Sequence, residues 1–217
     1  MAKAIVLLSG GIDSATALWW VKKKGWEIYA LTFKYGNWNI NELKYAKRLA
    51  KMIKVVKHFI VDANFLFHIQ EDLKYIKDKN IRRVLKSRLR NFPLIYIPSR
   101  NTVFFGIASH FAEIYGINCI ITGHIFIDPF PDSKSKYVKA INNALNYGSW
   151  LGRKNKIKII MPFAKMSKMK IIELALKLKV PLELTWSCHK NGKYPCGKCN
   201  GCMNRLKVLD LNTHNKN

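Results

Sequence analysis

The stretch KAIVLLSGGIDSATAL, residues 3–18, decides how the rest of the chain is organised. Its first part, Ala4 to Leu8, is an apolar run of the length of a buried parallel strand. Two glycines end the run, and Asp13 and Ser14 open a segment with helical spacing. Glycines between a strand and a helix let backbone N–H groups face an anion, and the helix start adds partial positive charge. An ordinary strand-to-helix turn would not require the whole S-G-G-x-D-S pattern, so the stretch predicts a phosphate-binding loop.

The composition is that of one α/β domain, with 217 residues of which 49% are apolar. No apolar run is long enough to span a bilayer, and the N-terminal residues lead straight into the glycine loop without a cleavage site. We therefore expect a cytoplasmic protein that does not bind membranes.

The chain is strongly basic, with 38 Lys and Arg against 13 Asp and Glu and a formal charge of +25. Such charge attracts polyanions such as tRNA or nucleotides, but lysines spread over every segment also characterise lysine-rich proteomes. Both interpretations stay open. The basic stretch Ile81 to Arg90 has the same two interpretations, a solvated helix face or a partner surface.

Apolar runs and helical stripes alternate after the loop. The predicted strands are 27–33, 55–61, 118–122 and 157–161, and the predicted helices are 42–53, 103–115, 135–146 and 168–178. This order predicts a doubly wound parallel sheet with right-handed crossovers. Asn101 or Thr102 is the expected cap of the helix 103–115, Gly116 its expected end, and Ser167 the expected cap of the helix 168–178.

The carboxyl ends of parallel strands form the ligand-binding edge of an open sheet. Polar residues follow each predicted strand or open the helix beside it. They are Ser9, Tyr35, Asp62, Arg100, His124 and Lys165. Several of these side chains suit a nucleotide site, so the order of elements and the residue types agree.

Four cysteines near the C-terminus have metal-ligand spacing. They are Cys188, Cys196, Cys199 and Cys202, with Gly197 and Gly201 in the tight turns. A cytoplasmic chain argues against disulfides, and four thiolates leave no open ligand position. The pattern favours a closed structural Zn²⁺ site, with an iron–sulfur or redox site as the alternative.

The S-G-G-x-D-S motif resembles the pyrophosphate loop (PP-loop) of the N-type ATP pyrophosphatase superfamily. The motifs G-x-x-x-x-G-K-[ST] and G-x-G-x-x-G are both absent from the chain. The resemblance implies binding of ATP and Mg²⁺ and activation of a carboxylate or similar oxygen. By resemblance, the ATP-binding residues are Leu8, Ser9, Gly10, Gly11, Ile12, Asp13, Ser14, Ala15, Thr16, Ala17 and Leu18.

Together, the loop and the cysteines narrow the resemblance to the 7-cyano-7-deazaguanine synthases (QueC). The shared pieces are L-L-S-G-G-I-D-S-A-T-A-L at 7–18, Y-G at 35–36 with Glu42, I-P-S-R-N at 97–101, P-F-A-K-M-S-K-M-K-I-I at 162–172, T-W-S-C at 185–188 and P-C-G-K-C-N-G-C at 195–202. Two pieces depart from the family pattern. The loop 128–134 has Ser133-Lys134 where the family has Cys-Arg, and Asn37 to Asn41 replace a Gln/His pair.

The resemblance implies an adenine nucleotide alpha-hydrolase-like (HUP) fold, with a PP-loop domain at 1–180 and a zinc segment at 181–211 packed on it. It implies ATP-dependent ligation of 7-carboxy-7-deazaguanine with ammonia, giving 7-cyano-7-deazaguanine (preQ0) for queuosine or archaeosine. In this scheme Asp13 orients Mg²⁺, Arg100 binds the substrate carboxylate or a phosphate, and Lys168 neutralises phosphate charge. Asp132 accepts hydrogen bonds from the ring.

Other functions stay open at this point. The altered loop 128–134 admits a related ligase acting on another acid or amine. A PP-loop tRNA thiolase would also use cysteines, but it would need an RNA-binding domain for which the chain has little room, so we do not expect direct tRNA binding. A zinc module that binds nucleic acid would leave the glycine loop unexplained. The sequence leaves open ADP or AMP as product, and a homodimer among the oligomeric states.

Overall fold

A five-stranded parallel sheet forms the centre of the computed structural model, which describes residues 1–36, 40–67, 77–80, 83, 97, 99–125, 130–190, 192–199 and 201–206. The strands are β1 (Lys3–Leu7), β2 (Glu27–Lys34), β3 (Lys57–Asp62), β4 (Cys119–Ile121) and β5 (Lys158–Ile160). Apart from Arg83, the basic stretch at 81–90 lies outside the described residues, as do residues 37–39 and 126–129 of the two altered loops.

The sheet order is β3-β2-β1-β4-β5, so the first strand of the chain lies at its centre. All pairs are parallel, and Ile5 of β1 aligns with Tyr29 of β2 on one side and Ile120 of β4 on the other. The chain first builds outward from β1 to β3 and then crosses to β4 and β5. The strand order therefore reverses between β1 and β4, which is where open α/β sheets bind ligands.

Helices cover both faces of the sheet, which confirms the predicted doubly wound α/β class. Helices α1 (Ile12–Lys23), α2 (Ile40–Ile53) and α6 (Lys168–Lys177) pack on one face. Helices α3 (Arg100–Tyr115), α4 (Ser135–Tyr147) and α5 (Trp150–Asn155) pack on the other. Single 3-10 turns lie at Asn64–Phe67, Pro131–Ser133 and Leu182–Leu184.

Strand β1 is apolar on every residue after Lys3 because both of its faces are covered. Ala4 and Val6 belong to the core beneath α1, whereas Ile5 and Leu7 belong to the core beneath α3. Side chains alternate between the two faces of a strand, so a strand buried on both sides reads as a continuous apolar run. The site at the end of β1 is therefore built on the most deeply buried strand of the sheet.

The prediction that Asn101 or Thr102 caps α3 is wrong, because the helix begins at Arg100. Asn101 lies inside the first turn, where its backbone N–H donates to Asp132 Oδ2 at 3.0 Å and its side-chain nitrogen donates to the Asp132 carbonyl at 3.2 Å. A carboxylate remote in sequence thus satisfies the free N–H groups that a local side chain usually caps. The helix does end at Gly116, whose φ of 63° confirms the predicted terminator.

Two other helix starts depend on serine. Ser167 Oγ accepts a hydrogen bond from the Lys170 N–H at 3.3 Å, which confirms the predicted cap of α6. Ser149 Oγ accepts from the Gly152 N–H at 3.0 Å and begins α5, a helix that the sequence did not predict. In the part of the chain that the structure describes, no helix is long and apolar enough to cross a bilayer.

Candidate active site

The glycine loop, residues 8–11, joins the end of β1 to α1 in a conformation that only glycine allows. Gly10 has a φ of +93°, and a Cβ atom there would lie 2.3 Å from the carbonyl oxygen of Glu42 in α2. On its other side, the Gly10 carbonyl accepts a hydrogen bond from the Trp186 N–H at 2.9 Å. The loop is therefore held between α2 and the chain leading to the cysteines.

Hydrogen bonds within the loop aim its N–H groups at a common point. The N–H groups of Ser9 and Gly10 both donate to Ser14 Oγ at 3.2 Å, and Ser14 Oγ donates to the Gly11 carbonyl at 3.0 Å. The Gly11 N–H donates to Ser9 Oγ at 3.3 Å. Convergent backbone amides at a helix N-terminus are the arrangement that binds a phosphate oxygen.

Asp13, in the first turn of α1, is ion-paired with Lys168, the first residue of α6. The Lys168 ammonium donates to Asp13 Oδ1 at 2.6 Å, and both side chains are about one-third exposed, at 37% for Lys168 and 33% for Asp13. The backbone of Asp13 also lies against Gly123, where a Cβ atom would be 2.7 Å from the Asp13 carbonyl oxygen. The start of α1 thus packs closely on the residues that follow β4, and its ion pair with α6 places Lys168 at the loop.

A cavity of about 250 Å³ opens at the carboxyl ends of β1, β2 and β4. One wall is apolar and planar, since Phe33 and Phe104 stack with ring centroids 3.8 Å apart and an interplanar angle of 1°. The polar lining residues are Ser9, Asp13, Ser14, Tyr35, Glu42, Arg100, Asn101, Thr122 and His124. A flat apolar wall opposite polar groups suits a planar, polar ring joined to an anion.

Arg100 is the cation on the wall of this cavity, and it acts on several titratable neighbours. Burial raises the pKa of Tyr35, while the charge of Arg100 and a hydrogen bond with it oppose that rise. Burial, together with the charge of Arg100, lowers the pKa of His124 to about 4. The His124 ring is therefore neutral at pH 7, with Nδ1 2.8 Å from Thr122 Oγ1.

Glu42 is an acidic residue of the cavity whose carboxyl group has a raised pKa. Partial burial raises the pKa of its carboxyl group to about 7, although the nearby charge of Arg100 lowers it. Glu42 also lines a second cavity of about 280 Å³ on the other side of the loop. That cavity includes Lys168 and, from the C-terminal part of the chain, Trp186, Ser187, His189, Gly201, Asn204 and Arg205.

The predicted site residues fall into three groups. The predicted residues that line the first cavity are Leu8, Ser9, Asp13, Ser14 and Arg100, and those that line the second are Ser9, Gly11, Ile12, Asp13 and Lys168. Asp132 lines neither, because its carboxylate lies under the start of α3 and accepts from the Asn101 N–H. The last four residues of the predicted ATP-binding stretch are buried in α1 and also line neither cavity: Ala15, Thr16, Ala17 and Leu18.

The four cysteines predicted as metal ligands lie together, with all four sulfur atoms within 4.8 Å of one another. The Sγ atoms of Cys196 and Cys202 are 3.9 Å apart, and those of Cys188 and Cys199 are 4.0 Å apart. A tetrahedral Zn²⁺ with Zn–S bonds of 2.3 Å requires sulfur separations of about 3.8 Å. These two separations are close to that value, and the remaining ones do not exceed 4.8 Å.

Backbone N–H groups point at these sulfur atoms, as a thiolate cluster requires. Cys188 Sγ accepts from the N–H groups of Lys190 and Cys196, both at 3.3 Å, and Cys199 Sγ accepts from the His189 N–H at 3.4 Å. Hydrogen bonds from the backbone amides of Lys198 and Cys199 lower the pKa of Cys196 to about 6. Four sulfur atoms gathered in this way could hold a metal ion.

The segment 182–188 connects this cluster to the glycine loop. Trp186 is 3% exposed and stacks on Tyr45 of α2, with ring centroids 5.5 Å apart. Arg205 donates from one guanidinium nitrogen to the Thr185 carbonyl at 2.9 Å and from the other to the Leu182 carbonyl at 2.6 Å. The cysteine cluster thus holds the residue whose N–H group binds Gly10.

Sequence reasoning placed His124 at the ligand-binding edge of the sheet without a specific role, and it assigned no site role to Glu42, Asn101 or Trp186. The available signal for Glu42 was its place in the first turn of the helix that follows β2. The role of Asn101 is recognised only from its hydrogen bond with Asp132. The role of Trp186 is recognised only from its hydrogen bond with Gly10. Both contacts join residues that are far apart in the chain.

Comparisons with known proteins agree with this geometry. Residues 3–213 match the family model described as "Queuosine biosynthesis protein QueC". The 7-cyano-7-deazaguanine synthase of Thermoplasma volcanium is 38% identical over 214 residues, covering 94% of this chain and 85% of the relative. That of Aquifex aeolicus is 38% identical over 209 residues, covering 94% and 95%.

Solved structures show the same fold at low identity. A 4-thiouridine synthetase in complex with RNA and bound ATP has a TM-score of 0.58 and 19% identity, with 98% of this chain and 52% of that chain covered. The NMN synthetase of Francisella tularensis has a TM-score of 0.54 and 18% identity, with 98% and 77% covered. These similarities support the predicted HUP-type architecture of the sheet.

Proposed function

The chain belongs to the QueC family of queuosine biosynthesis proteins, and from that premise we propose that it is an ATP-dependent C–N ligase, a 7-cyano-7-deazaguanine synthase. It converts 7-carboxy-7-deazaguanine and ammonia to 7-cyano-7-deazaguanine, the preQ0 precursor of queuosine and archaeosine. The observation that carries the proposal is the single cavity that the glycine loop, Arg100 and the stacked phenylalanine rings line together.

The glycine loop is proposed to bind the ATP phosphates. The N–H groups of Gly10, Gly11 and Asp13 are the donors, with the hydroxyls of Ser9 and Ser14 beside them. Ser14 Oγ accepts from the Ser9 and Gly10 N–H groups, and a phosphate oxygen would replace it as the acceptor for the Gly10 N–H.

Asp13 and Lys168 are proposed to manage the charge of the phosphates. The Asp13 carboxylate is the protein ligand at the loop that suits Mg²⁺, an ion that supplies charge neutralisation when it is bound. The Lys168 ammonium is held 2.6 Å from Asp13 Oδ1, so it lies at the same side of the loop. Negative charge that develops on the phosphates during transfer is then stabilised by a cation already in position.

Arg100 is proposed to bind the 7-carboxylate of the substrate, because its planar guanidinium pairs with a carboxylate through two hydrogen bonds. The stacked rings of Phe33 and Phe104 offer the apolar surface for the deazaguanine. For Asp132 we keep the role of an acceptor for the ring N–H groups. That role requires the turn Pro131–Ser133 to move toward the cavity, because Asp132 lines neither cavity here.

The four cysteines are proposed to hold a structural Zn²⁺, with residues 181–211 as a segment packed on the ATP-binding domain 1–180. The sulfur separations and the N–H groups aimed at the sulfur atoms support this assignment. The role of the ion would be to fix the segment that carries the Trp186 N–H to Gly10.

The decisive experiment uses the zinc-loaded chain with 7-carboxy-7-deazaguanine, ammonium, ATP and Mg²⁺, with products identified by mass spectrometry. We expect the nitrile, with the amide as an intermediate. A panel of related deazapurine acids and amines in the same assay tests whether the changed loop 128–134 alters the substrate. A folded, zinc-containing protein that makes no nitrile from any of them would refute the assignment.

A further inference from the structure

We propose that Glu42 is the catalytic base that takes a proton from the nitrogen nucleophile at this site. The inference rests on the proposed function, because it concerns the step in which ammonia attacks the activated carboxyl group. It adds a residue to those that bind ATP and the carboxylate.

The position of Glu42 is set by the glycine loop itself. Its backbone carbonyl lies so close to Gly10 that a Cβ atom there would be 2.3 Å from the carbonyl oxygen, so α2 packs directly on the loop. The side chain lines both the cavity that contains Arg100 and the cavity that contains Lys168. Glu42 thus lines the cavity in which the carboxylate is proposed to be activated and also lines the neighbouring cavity that contains Lys168.

The other carboxylate and the histidine that line the first cavity are already engaged. Asp13 is ion-paired with Lys168, and the His124 ring contacts Thr122 Oγ1 and is neutral because of its low pKa. Among the described residues, Glu42 has no ion-pair partner within 4.0 Å. A carboxylate without such a partner is free to accept a proton from a bound nitrogen.

The protonation behaviour of Glu42 supports the same role. Its pKa is raised to about 7 by burial, against the opposing charge of Arg100. A base works best when its pKa lies near the operating pH, because it is then partly ionised and still basic enough to hold the proton. An ordinary surface glutamate would be too weak a base to hold a proton taken from an ammonium-like nitrogen.

The proposed step balances as follows. The lone pair of ammonia forms a C–N bond to the activated carboxyl carbon, and the nitrogen becomes positively charged. One N–H proton passes to the Glu42 carboxylate, and the C–O bond to the phosphate-bearing leaving group breaks with its electron pair going to oxygen. The products are the amide, the released phosphate or nucleotide, and protonated Glu42, which loses its proton to solvent.

The test measures product formation with ammonia and with hydroxylamine as nucleophiles, in the Glu42→Gln variant and in the unmodified protein. Both proteins are the zinc-loaded full chain, supplied with ATP, Mg²⁺ and 7-carboxy-7-deazaguanine. Hydroxylamine is mostly unprotonated at neutral pH and attacks activated carboxyl groups without a strong base. We expect hydroxamate formation within about threefold of the unmodified protein, and a loss of ammonia-dependent amide and nitrile of about a hundredfold or more. Glu173→Gln, on the exposed side of α6, is the matched control and should change neither rate.

The outcomes separate this inference from the proposed function. If the unmodified protein makes neither hydroxamate nor nitrile, the proposed function fails and the inference fails with it. If it makes both, and Glu42→Gln also makes both at normal rates or loses both equally, only the inference fails. Should Glu42→Gln not fold, Glu42→Asp is tested in the same way and should lose ammonia-dependent product more than hydroxamate.

Discussion

The glycine loop and the cysteine segment hold their shapes by different means. The loop is completed by its own atoms, since Ser14 Oγ accepts from two loop amides and donates to the Gly11 carbonyl. The cysteine segment gathers four sulfur atoms within 4.8 Å of one another, a group that could hold a metal ion. One region is thus organised by local hydrogen bonds, and the other, under the proposed function, is organised by a bound Zn²⁺.

The two regions meet at one hydrogen bond, from the Trp186 N–H to the Gly10 carbonyl. Gly10 is pressed against the Glu42 carbonyl on its other side, so the loop lies between α2 and the cysteine segment. A loss of structure at the cysteines should therefore reach the ATP site, whereas a change inside the loop should leave the metal bound. The following four predictions test this asymmetry.

The largest effect is expected from loss of the metal. Structural zinc sites contribute on the order of 10 kcal/mol to folding in small domains, which is comparable to the whole stability of a typical protein. We expect Cys199→Ser to lose bound zinc, to lower the Tm by more than about 10 °C and to abolish nitrile formation. Metal content, thermal melting and turnover measure this. Cys119→Ser, in β4 away from the cluster, is the control, and an unchanged Tm in Cys199→Ser would contradict the interpretation.

The next effect is expected inside the loop. Gly10→Ala places a Cβ atom 2.3 Å from the Glu42 carbonyl oxygen at a φ of +93°, so the strained backbone and the displaced helix together should cost about 3 kcal/mol or more. Gly25→Ala is the matched control, since its φ is +69° and nothing lies within 4 Å of the added atom.

The control should cost only about 1 kcal/mol, which is the price of the backbone conformation alone. Denaturant unfolding of both variants gives the two values. Both should keep their zinc, because neither change touches the cysteines. Equal destabilisation of the two variants would mean that the contact between the loop and α2 is unimportant.

A smaller effect, dependent on pH, is expected at Glu42. The folded state raises the pKa of this carboxyl group from 4.5 to about 7, so between these values the folded protein binds more protons than the unfolded chain. Stability therefore falls as pH rises through this window. The full shift corresponds to roughly 3 kcal/mol, and we expect about 2 kcal/mol because the side chain is only partly buried.

Glu42→Gln removes this titration. Its free energy of unfolding should exceed that of the unmodified protein by about 2 kcal/mol at pH 8, and the difference should vanish near pH 4. Denaturant unfolding at a series of pH values tests the sign, with Glu173→Gln as a control that shows no such window. A variant that is less stable at pH 8 would contradict the raised pKa.

The smallest effect on stability is expected from Lys168→Ala. The ion pair with Asp13 is about one-third exposed on both sides, so its loss should cost less than about 1 kcal/mol. Activity should fall much further than stability, because the ammonium is proposed to stabilise phosphate charge. Lys177→Ala, at the exposed end of α6, is the control. A Lys168→Ala variant with normal turnover at limiting ATP would remove Lys168 from the mechanism.

Local patterns predicted the elements of the fold and two features of the site. The buried strand β1, the end of α3 at Gly116, the start of α6 at Ser167 and the cysteine spacing each depend on residues that are close together in the chain. The cap of α3 was mispredicted because the Asn101 N–H, in the first turn of the helix, donates to the carboxylate of Asp132. Asp132 lies thirty-one positions further along the chain. The helix α5 was missed because six residues are too few for a periodic stripe to be recognised.

The amino-acid sequence by itself determined the parallel sheet, the glycine loop and the clustering of the four cysteines. Strand burial, the conformational freedom of glycine and metal-ligand spacing are properties of short stretches. Only the tertiary structure decided which side chains share the cavity. Packing of α2 on Gly10 brings Glu42 to the loop, and packing of α6 on α1 brings Lys168 to Asp13. Burial and neighbouring charge, which set the pKa of Glu42, exist only after these distant elements have come together.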